Sequence, residues 1–223
     1  MPFLSDTVIC FDLDDTLYKE IDFLKSAYVE VAAFAGHPEA VEQMLKWYQS
    51  GENAFKKLID TYDLDLSIND CLKIYRDHYP NISLDKDVKD ILIKMKKNGA
   101  ILGIITDGRS LTQRNKIKVL ALNDYFDTII ISEEIGSEKP NLENYRIVME
   151  KYPEKKHYVY IGDNPQKDFL APNQLGWETI CLMDDGRNIH KQYFSDDKPL
   201  MPKIRIKDFI MLAHLYEMYH DYR

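Results

Sequence analysis

The chain has 223 residues, 45% of them hydrophobic and 30% charged, which places it among soluble globular proteins long enough for one large domain or a domain with a modest insert. Its 29 basic and 37 acidic residues leave a net charge of −8 with no basic block, which argues against nucleic acid and anionic membrane as partners. Three scattered cysteines, Cys10, Cys71 and Cys181, form no CxxC pair and argue against a disulfide framework or a zinc site; no window approaches the roughly 20 apolar residues that span a bilayer.

The N-terminal "MPFLSDTVIC" lacks a basic stretch ahead of its apolar residues, so it does not read as a signal peptide, and a reducing cytoplasm is the expected compartment. Its "TVICF" (7–11) is apolar without alternation, which predicts a strand buried on both faces. That run ends on Asp12, Asp14 and Asp15. Strand side chains alternate, but the chain turns here, so Asp12 and Asp14 can converge at the strand's C-terminal end. Crowded carboxylates suit a divalent cation with oxygen ligands. They can also divide into an ionised nucleophile and an acid/base whose pKa is raised. A calcium loop begins similarly but needs glycine at its sixth position and glutamate at its twelfth; here they are Leu17 and Phe23. Taken alone, the motif is also compatible with a plain polar turn.

From Lys19 to about Asn81 no strand is predicted. "IDFLKSAYVEVAAFAG", "HPEAVEQMLKWYQSG", "ENAFKKLIDTYD" and "SINDCLKIYRDHYP" read as helices punctuated by Gly36, Pro38, Gly51 and Pro80. The expected organisation is a helical insert over 19–81 in an α/β core made of 1–18 and 82–223. Phe23, Tyr28, Phe34, Trp47, Tyr48 and Phe55 have helical spacing and read as core of the insert. Tyr18, Lys19 and Glu20, in the connection next to the aspartates, are candidates for substrate or gate contacts. His37, His78, His157, His190, His214 and His220 show no metal-ligand pairing and read as structural or surface residues.

Beyond the insert, "LDKDVKDILIKMKKNG" places Val88, Ile91, Leu92 and Met95 on one helical face and stops at Gly99. "AILGIIT" (100–106) reads as a second buried strand ending in "TDG", where the Thr106 hydroxyl and the N–H groups of Asp107 and Gly108 can grip a phosphate oxygen. The Asp107 carboxylate is expected to turn away from that anion. Ser110 is placed as cap of a helix carrying Ile117, Leu120 and Ala121. "DTIIIS" (127–132) is the third strand. After it comes Lys139, which taken alone reads as a surface lysine but can balance the carboxylates and hold a substrate anion, and Pro140, placed as a helix-opening proline. "HYVYIG" (157–162) ends on Asp163, which can complete a magnesium site. Asp168, five residues later, can orient Lys139 or a water. Pro172 makes the helix after it short or kinked. "ETICLM" (178–183) is the fifth strand, and residues 184–202 read as a solvated loop. A short strand and a terminal helix follow, with Ile210, Ala213 and Tyr216 on one face and Phe209, Leu212 and Tyr219 on others.

Alternating strands and helices predict a doubly wound, Rossmann-like parallel sheet with right-handed crossovers. In such a sheet ligands bind outside the carboxyl ends of the strands, where four successive runs here end on polar residues.

With these residues the chain resembles the haloacid dehalogenase superfamily of phosphohydrolases. "DLDDT", "TDG", Lys139-Pro140 and "GDNPQKD" carry the resemblance, which extends from Thr7 to about Met183. The helical insert lies where that superfamily carries a helical cap. The resemblance implies that Asp12 attacks phosphorus and that Asp14 protonates the leaving oxygen and then activates water. Thr106 and Lys139 would hold the phosphoryl oxygens. Mg²⁺ would bind Asp12, Asp163 and the main-chain carbonyl of Asp14, with Asp168 supporting the site from behind. Asp14 speaks for phosphoryl chemistry, since the name-giving dehalogenases lack an aspartate two residues after the nucleophile. The expected activity is a magnesium-dependent phosphatase for a small soluble phosphomonoester, in a monomer or homodimer. A phosphomutase and a non-catalytic binding protein on the same fold are the alternatives.

Overall fold

A computed structural model of the chain describes residues 4–218. The readings for Tyr219, His220 and the side chain of Tyr216 lie outside the described residues. In chain order the elements are β1 (Thr7–Phe11), α1 (Glu20–Phe34), α2 (Val41–Gln49), α3 (Ala54–Tyr62), α4 (Ile68–Asp77), α5 (Lys86–Lys97), β2 (Ile101–Thr106), α6 (Ser110–Val119), β3 (Thr128–Ile131), α7 (Ser132–Ile135), α8 (Glu143–Lys151), β4 (His157–Gly162), α9 (Leu170–Gln174), β5 (Glu178–Leu182), β6 (Ile204–Ile206) and α10 (Phe209–Met218). The five apolar runs are strands, each within a residue of its predicted limits, and the expected short sixth strand follows.

The strands form one parallel sheet in the order β3-β2-β1-β4-β5-β6. Every residue of β1 is buried, as its lack of alternation requires. Successive side chains point to opposite faces, so Ile9 and Phe11 join one hydrophobic cluster and Val8 and Cys10 the other. The first cluster takes in Val88, Ile91, Leu92 and Met95 of α5, and Phe209 and Leu212 of α10, with Phe209 stacked on Phe11 at 6.4 Å. The terminal helix therefore packs on the sheet and turns Ile210 and Met211 to the outside. The second cluster is built around Tyr145, Tyr160, Phe169 and Trp177. All three cysteines are buried and free. Among the described residues no helix is long and apolar enough to cross a membrane.

Helices α1–α4 have a hydrophobic cluster of their own, centred on Tyr28, Val31, Met44, Leu58 and Cys71. Tyr28 meets Tyr48 and Phe55 edge-on. Phe34 departs from the core reading and is 59% exposed. α4 rests on α6, where Thr112 Oγ1 donates to the Arg76 carbonyl (2.9 Å) and Asn115 Nδ2 to the carbonyls of Asp77 and His78 (both 3.2 Å).

Three local expectations need correction. Ser110 does not cap α6: it is the first helical residue, and its hydroxyl donates to Glu134 Oε1 at 2.6 Å. The buried side of α6 consists of Thr112, Gln113, Lys116 and Ile117, while Ala121 lies beyond the helix and is exposed. Pro140 does not open α8; it sits in a turn after a cis peptide bond with Lys139, and the helix begins at Glu143. Pro172 falls within α9, which is only five residues long, as a proline there requires.

Candidate active site

The strand order reverses at β1: the chain places β2 and β3 on one side of it and β4 to β6 on the other. An open crevice forms at such a reversal, outside the carboxyl ends of the strands. Asp12 stands there. Its N–H donates to the Ile161 carbonyl (2.8 Å), extending the β1–β4 ladder by one residue before the chain turns through Asp15 at φ 56°.

Lys139 is the hub beside Asp12. Its Nζ donates to Asp12 Oδ1 (2.7 Å), Asp168 Oδ1 (2.8 Å) and Tyr160 Oη (3.1 Å), and all four residues are buried. Each partner is fixed in turn. The Lys139 N–H donates to Asp107 Oδ1 (3.0 Å), the Tyr160 hydroxyl donates to the Ile105 carbonyl (3.2 Å), and Asp168 Oδ2 accepts the Asn164 N–H (2.8 Å). Gly162 makes room for Asp168, because a Cβ at that position would lie 2.4 Å from Asp168 Oδ2. Burial pushes the Asp12 carboxyl up to about 7 despite Lys139. Burial, then the Asp168 and Asp12 carboxylates, push Asp163 up to about 9. Burial alone would lower Lys139, but the Asp12 and Asp168 carboxylates outweigh it and hold the ammonium charged.

Asp12, Asp163 and Asp168 each bring a carboxylate oxygen within 4.8 Å of the others. Three buried carboxyl groups with one lysine, paired to Asp12 and Asp168, cannot all be ionised without a further counter-charge, and an all-oxygen set of this kind fits a hard divalent cation. Asp168 has both oxygens engaged by Lys139 and the Asn164 N–H. Asp12 and Asp163 are therefore the side chains with oxygens to spare for a cation.

Asp14 has a different setting. Its Oδ1 accepts from Lys116 Nζ (2.7 Å) and from the Tyr18 hydroxyl, and its Oδ2 accepts from Gln113 Nε2 (2.9 Å). Burial would raise this carboxyl, but the Lys116 charge and the hydrogen bonds from Lys116, Tyr18 and Gln113 hold it below its ordinary value. The expectation of a raised pKa on the acid/base partner is thus overturned: of the two aspartates it is Asp12 that is raised. The cause is a second buried lysine, which the motif did not reveal.

Gln113 also donates to Thr106 Oγ1 (2.6 Å), fixing that hydroxyl at the end of β2. The Asp107 carboxylate is turned to the Lys139 N–H and to Lys167 Nζ (3.1 Å). Gly108 departs from its expected role as a donor to phosphate. Its N–H donates to Ser132 Oγ (2.9 Å), and its backbone, at φ 131°, packs against the Gln113 side chain.

Asp12, Asp14, Thr106, Asp107, Lys139, Asp163 and Asp168 line one cavity of about 140 Å³, together with Asp15, Glu20, Asn164, Lys167 and His190. His190 is exposed, as its surface reading expects, and also borders the cavity. It comes from the 184–202 stretch, a loop in which Asp185, Gly186, Arg187 and Lys191 are exposed while Asn188, Ile189 and Gln192 turn inward to the site. Asn188 Nδ2 donates to Asp163 Oδ2 (2.8 Å), and Gln192 Nε2 donates to the Asp163 carbonyl (2.6 Å). The Ile189 N–H donates to Asp15 Oδ2 (2.9 Å), and the other Asp15 oxygen accepts the Glu20 N–H (2.9 Å). Lys19 reaches the same loop through Asn188 Oδ1 (2.7 Å) and Asp185 (3.3 Å).

Comparison with known proteins places the chain in a family. The family model for haloacid dehalogenase-like hydrolases matches residues 9–182. A glyceraldehyde 3-phosphate phosphatase of Methanocaldococcus jannaschii is 27% identical over 191 residues, covering 78% of this chain and 84% of that protein. A ribulose-1,5-bisphosphate 5-phosphatase of Halopiger xanaduensis is 26% identical over 201 residues, covering 79% and 84%. Among solved structures, the putative HAD-hydrolase YfnB of Bacillus subtilis, bound to magnesium, superposes with a TM-score of 0.70 at 20% identity, covering 94% of this chain and 97% of that one. The chain belongs to the haloacid dehalogenase-like hydrolases.

Proposed function

We propose that the chain is a magnesium-dependent phosphatase for a small phosphomonoester, with Asp12 as the nucleophile. The observation that carries the reading is the placement of Asp12 at the floor of the cavity, ion-paired to Lys139 at 2.7 Å and flanked by Thr106 and Asp163. An Asp12 oxygen bonds to phosphorus as the ester P–O bond breaks, and Asp14 gives a proton to the leaving oxygen. Water then bonds to phosphorus, the Asp12–phosphorus bond breaks, and Asp14 takes the proton of that water. Lys139, the Thr106 hydroxyl and the Asp107 N–H hold the phosphoryl oxygens. Asp12 and Asp163, with the Asp14 carbonyl, would hold Mg²⁺, which when bound screens the repulsion between nucleophile and phosphate. Asp168 holds Lys139 in place. Residues 19–81 act as a cap over the core of 1–18 and 82–223, excluding water and meeting the leaving group. The compact cavity supports a small substrate, and the sugar-phosphate activities named for the two phosphatase relatives agree with that size.

The test is phosphate release from an aryl phosphate, with and without Mg²⁺, by the wild type and by Asp12→Asn. Magnesium-dependent release that Asp12→Asn abolishes is expected. Full-rate release by Asp12→Asn would overturn the mechanism.

A further inference from the structure

We propose that Lys116 is a positioning residue for the second half of the reaction, holding Asp14 as the base that takes a proton from the attacking water. The inference rests on the reading of Asp12 as nucleophile and Asp14 as its proton-transfer partner. Lys116 projects from the buried face of α6, with 4% of its side chain exposed. Its Nζ lies 2.7 Å from Asp14 Oδ1 and 4.3 Å from the centroid of the Phe23 ring, and it is not among the residues that line the cavity. It therefore acts through Asp14 and not on the substrate.

Burying an ammonium and a carboxylate together contributes little net stability, because desolvation offsets their attraction. What the pair does give is a fixed geometry. Lys116, the Tyr18 hydroxyl and Gln113 all donate to Asp14, so both carboxylate oxygens face donors. A carboxylate held this way cannot rotate freely, yet an oxygen can still accept a further proton. That is the state the second step needs. Oxygen of water bonds to phosphorus, the P–O bond to Asp12 breaks with its electron pair returning to Asp12, and the proton from water goes to Asp14. The charged donor also comes from the core helix, while Phe23 and Tyr18 come from the insert and its connection. The base is thus set at the junction between them.

The second step can be isolated with a nitrophenyl phosphate, whose leaving group departs without an acid. We expect Lys116→Met to lower kcat by about 100-fold, a typical loss for impaired base catalysis, without raising KM. A burst of nitrophenolate equal to the enzyme concentration should accompany it, with an intact mass one phosphoryl group heavier. Lys116→Gln, which keeps a neutral donor for Asp14, should lie between, and it carries the same readout should Lys116→Met not fold. Turnover of the variants at the wild-type rate would overturn the proposal, as would a lower kcat with neither burst nor phosphoenzyme. In either case Asp12-dependent turnover by the wild type would leave the phosphatase reading standing. Wild-type turnover that does not need Asp12 would remove both.

Discussion

Asp12 and Asp14 are two residues apart on one turn, yet their surroundings shift them in opposite directions. Around Asp12 two buried carboxylates, Asp12 and Asp168, share the single ammonium of Lys139, with a third, Asp163, close beside them. Around Asp14, Lys116 and two neutral donors all bond to one carboxylate. Burial pushes both carboxyls up; at Asp12, Lys139 offsets it only in part while Asp168 adds to it, and the carboxyl rises to about 7. At Asp14 the donors outweigh burial, and the carboxyl is held low. Residue type is the same in both; what differs is the donor set, one lysine shared with Asp168 at Asp12 against three donors at Asp14. Full ionisation on the Asp12 side needs the counter-charge that a divalent cation would supply.

Removing the shared cation attacks that difference most directly. Lys139→Met would leave Asp12 and Asp168 buried without a counter-charge, a loss typically of about 3–5 kcal/mol for breaking a buried pair. We expect the melting temperature to fall sharply and turnover to vanish. A variant that melts like the wild type would mean that Asp12 and Asp168 do not depend jointly on this lysine. A smaller disturbance comes from Gly162→Ala. The added Cβ would meet Asp168 Oδ2 at 2.4 Å, with Asp168 Cγ at 2.7 Å, so the carboxylate must shift from Lys139. Overpacking of this kind costs about 1–3 kcal/mol. Turnover should fall while the Asp14 surroundings stay intact, and a crystal structure of the variant would show whether the Lys139–Asp168 contact lengthens. An unmoved Asp168 with normal stability would contradict this account.

The two regions were not equally legible in the sequence. Asp12, Thr106 and Asp163 follow buried strands, and such apolar runs mark where the chain leaves the sheet for the crevice. The sheet itself was legible for the same reason. The partners of Asp14 were hidden because periodicity counts apolar residues, and the buried face of α6 is mostly polar. Thr112, Gln113, Lys116 and Ile117 do share one side at helical spacing, which is a signal only once a polar face is allowed to be an inner one. Asn188, His190 and Gln192 have no periodicity at all; they reach the site because their loop folds back over the ends of β4 and β5, a tertiary fact with no local signature. The helix starts at Ser110 and Pro140 were misplaced because cap chemistry in sequence ignores competing partners. Ser110 is taken by Glu134, and Pro140 belongs to the turn that presents Lys139.

The loop gives the finest test of the comparison, because Asn188 touches only the Asp163 side of it. Its Nδ2 donates to Asp163 Oδ2 at 2.8 Å, and its Oδ1 accepts from Lys19 at 2.7 Å. Neither contact reaches Asp14 or Lys116. Asn188→Ala should therefore free the Asp163 carboxylate to turn without altering the proton-transfer partner. Loss of an outer hydrogen bond to a cation-holding carboxylate typically weakens cation affinity by about 10-fold or more. The Mg²⁺ concentration for half-maximal turnover should rise accordingly, by more than turnover at saturation falls, and direct titration calorimetry with Mg²⁺ should give the same shift. A fall in saturated turnover with unchanged Mg²⁺ affinity would instead place the importance of Asn188 in its bond to Lys19. The loop would then serve the connection to the helical insert and not the carboxylate cluster.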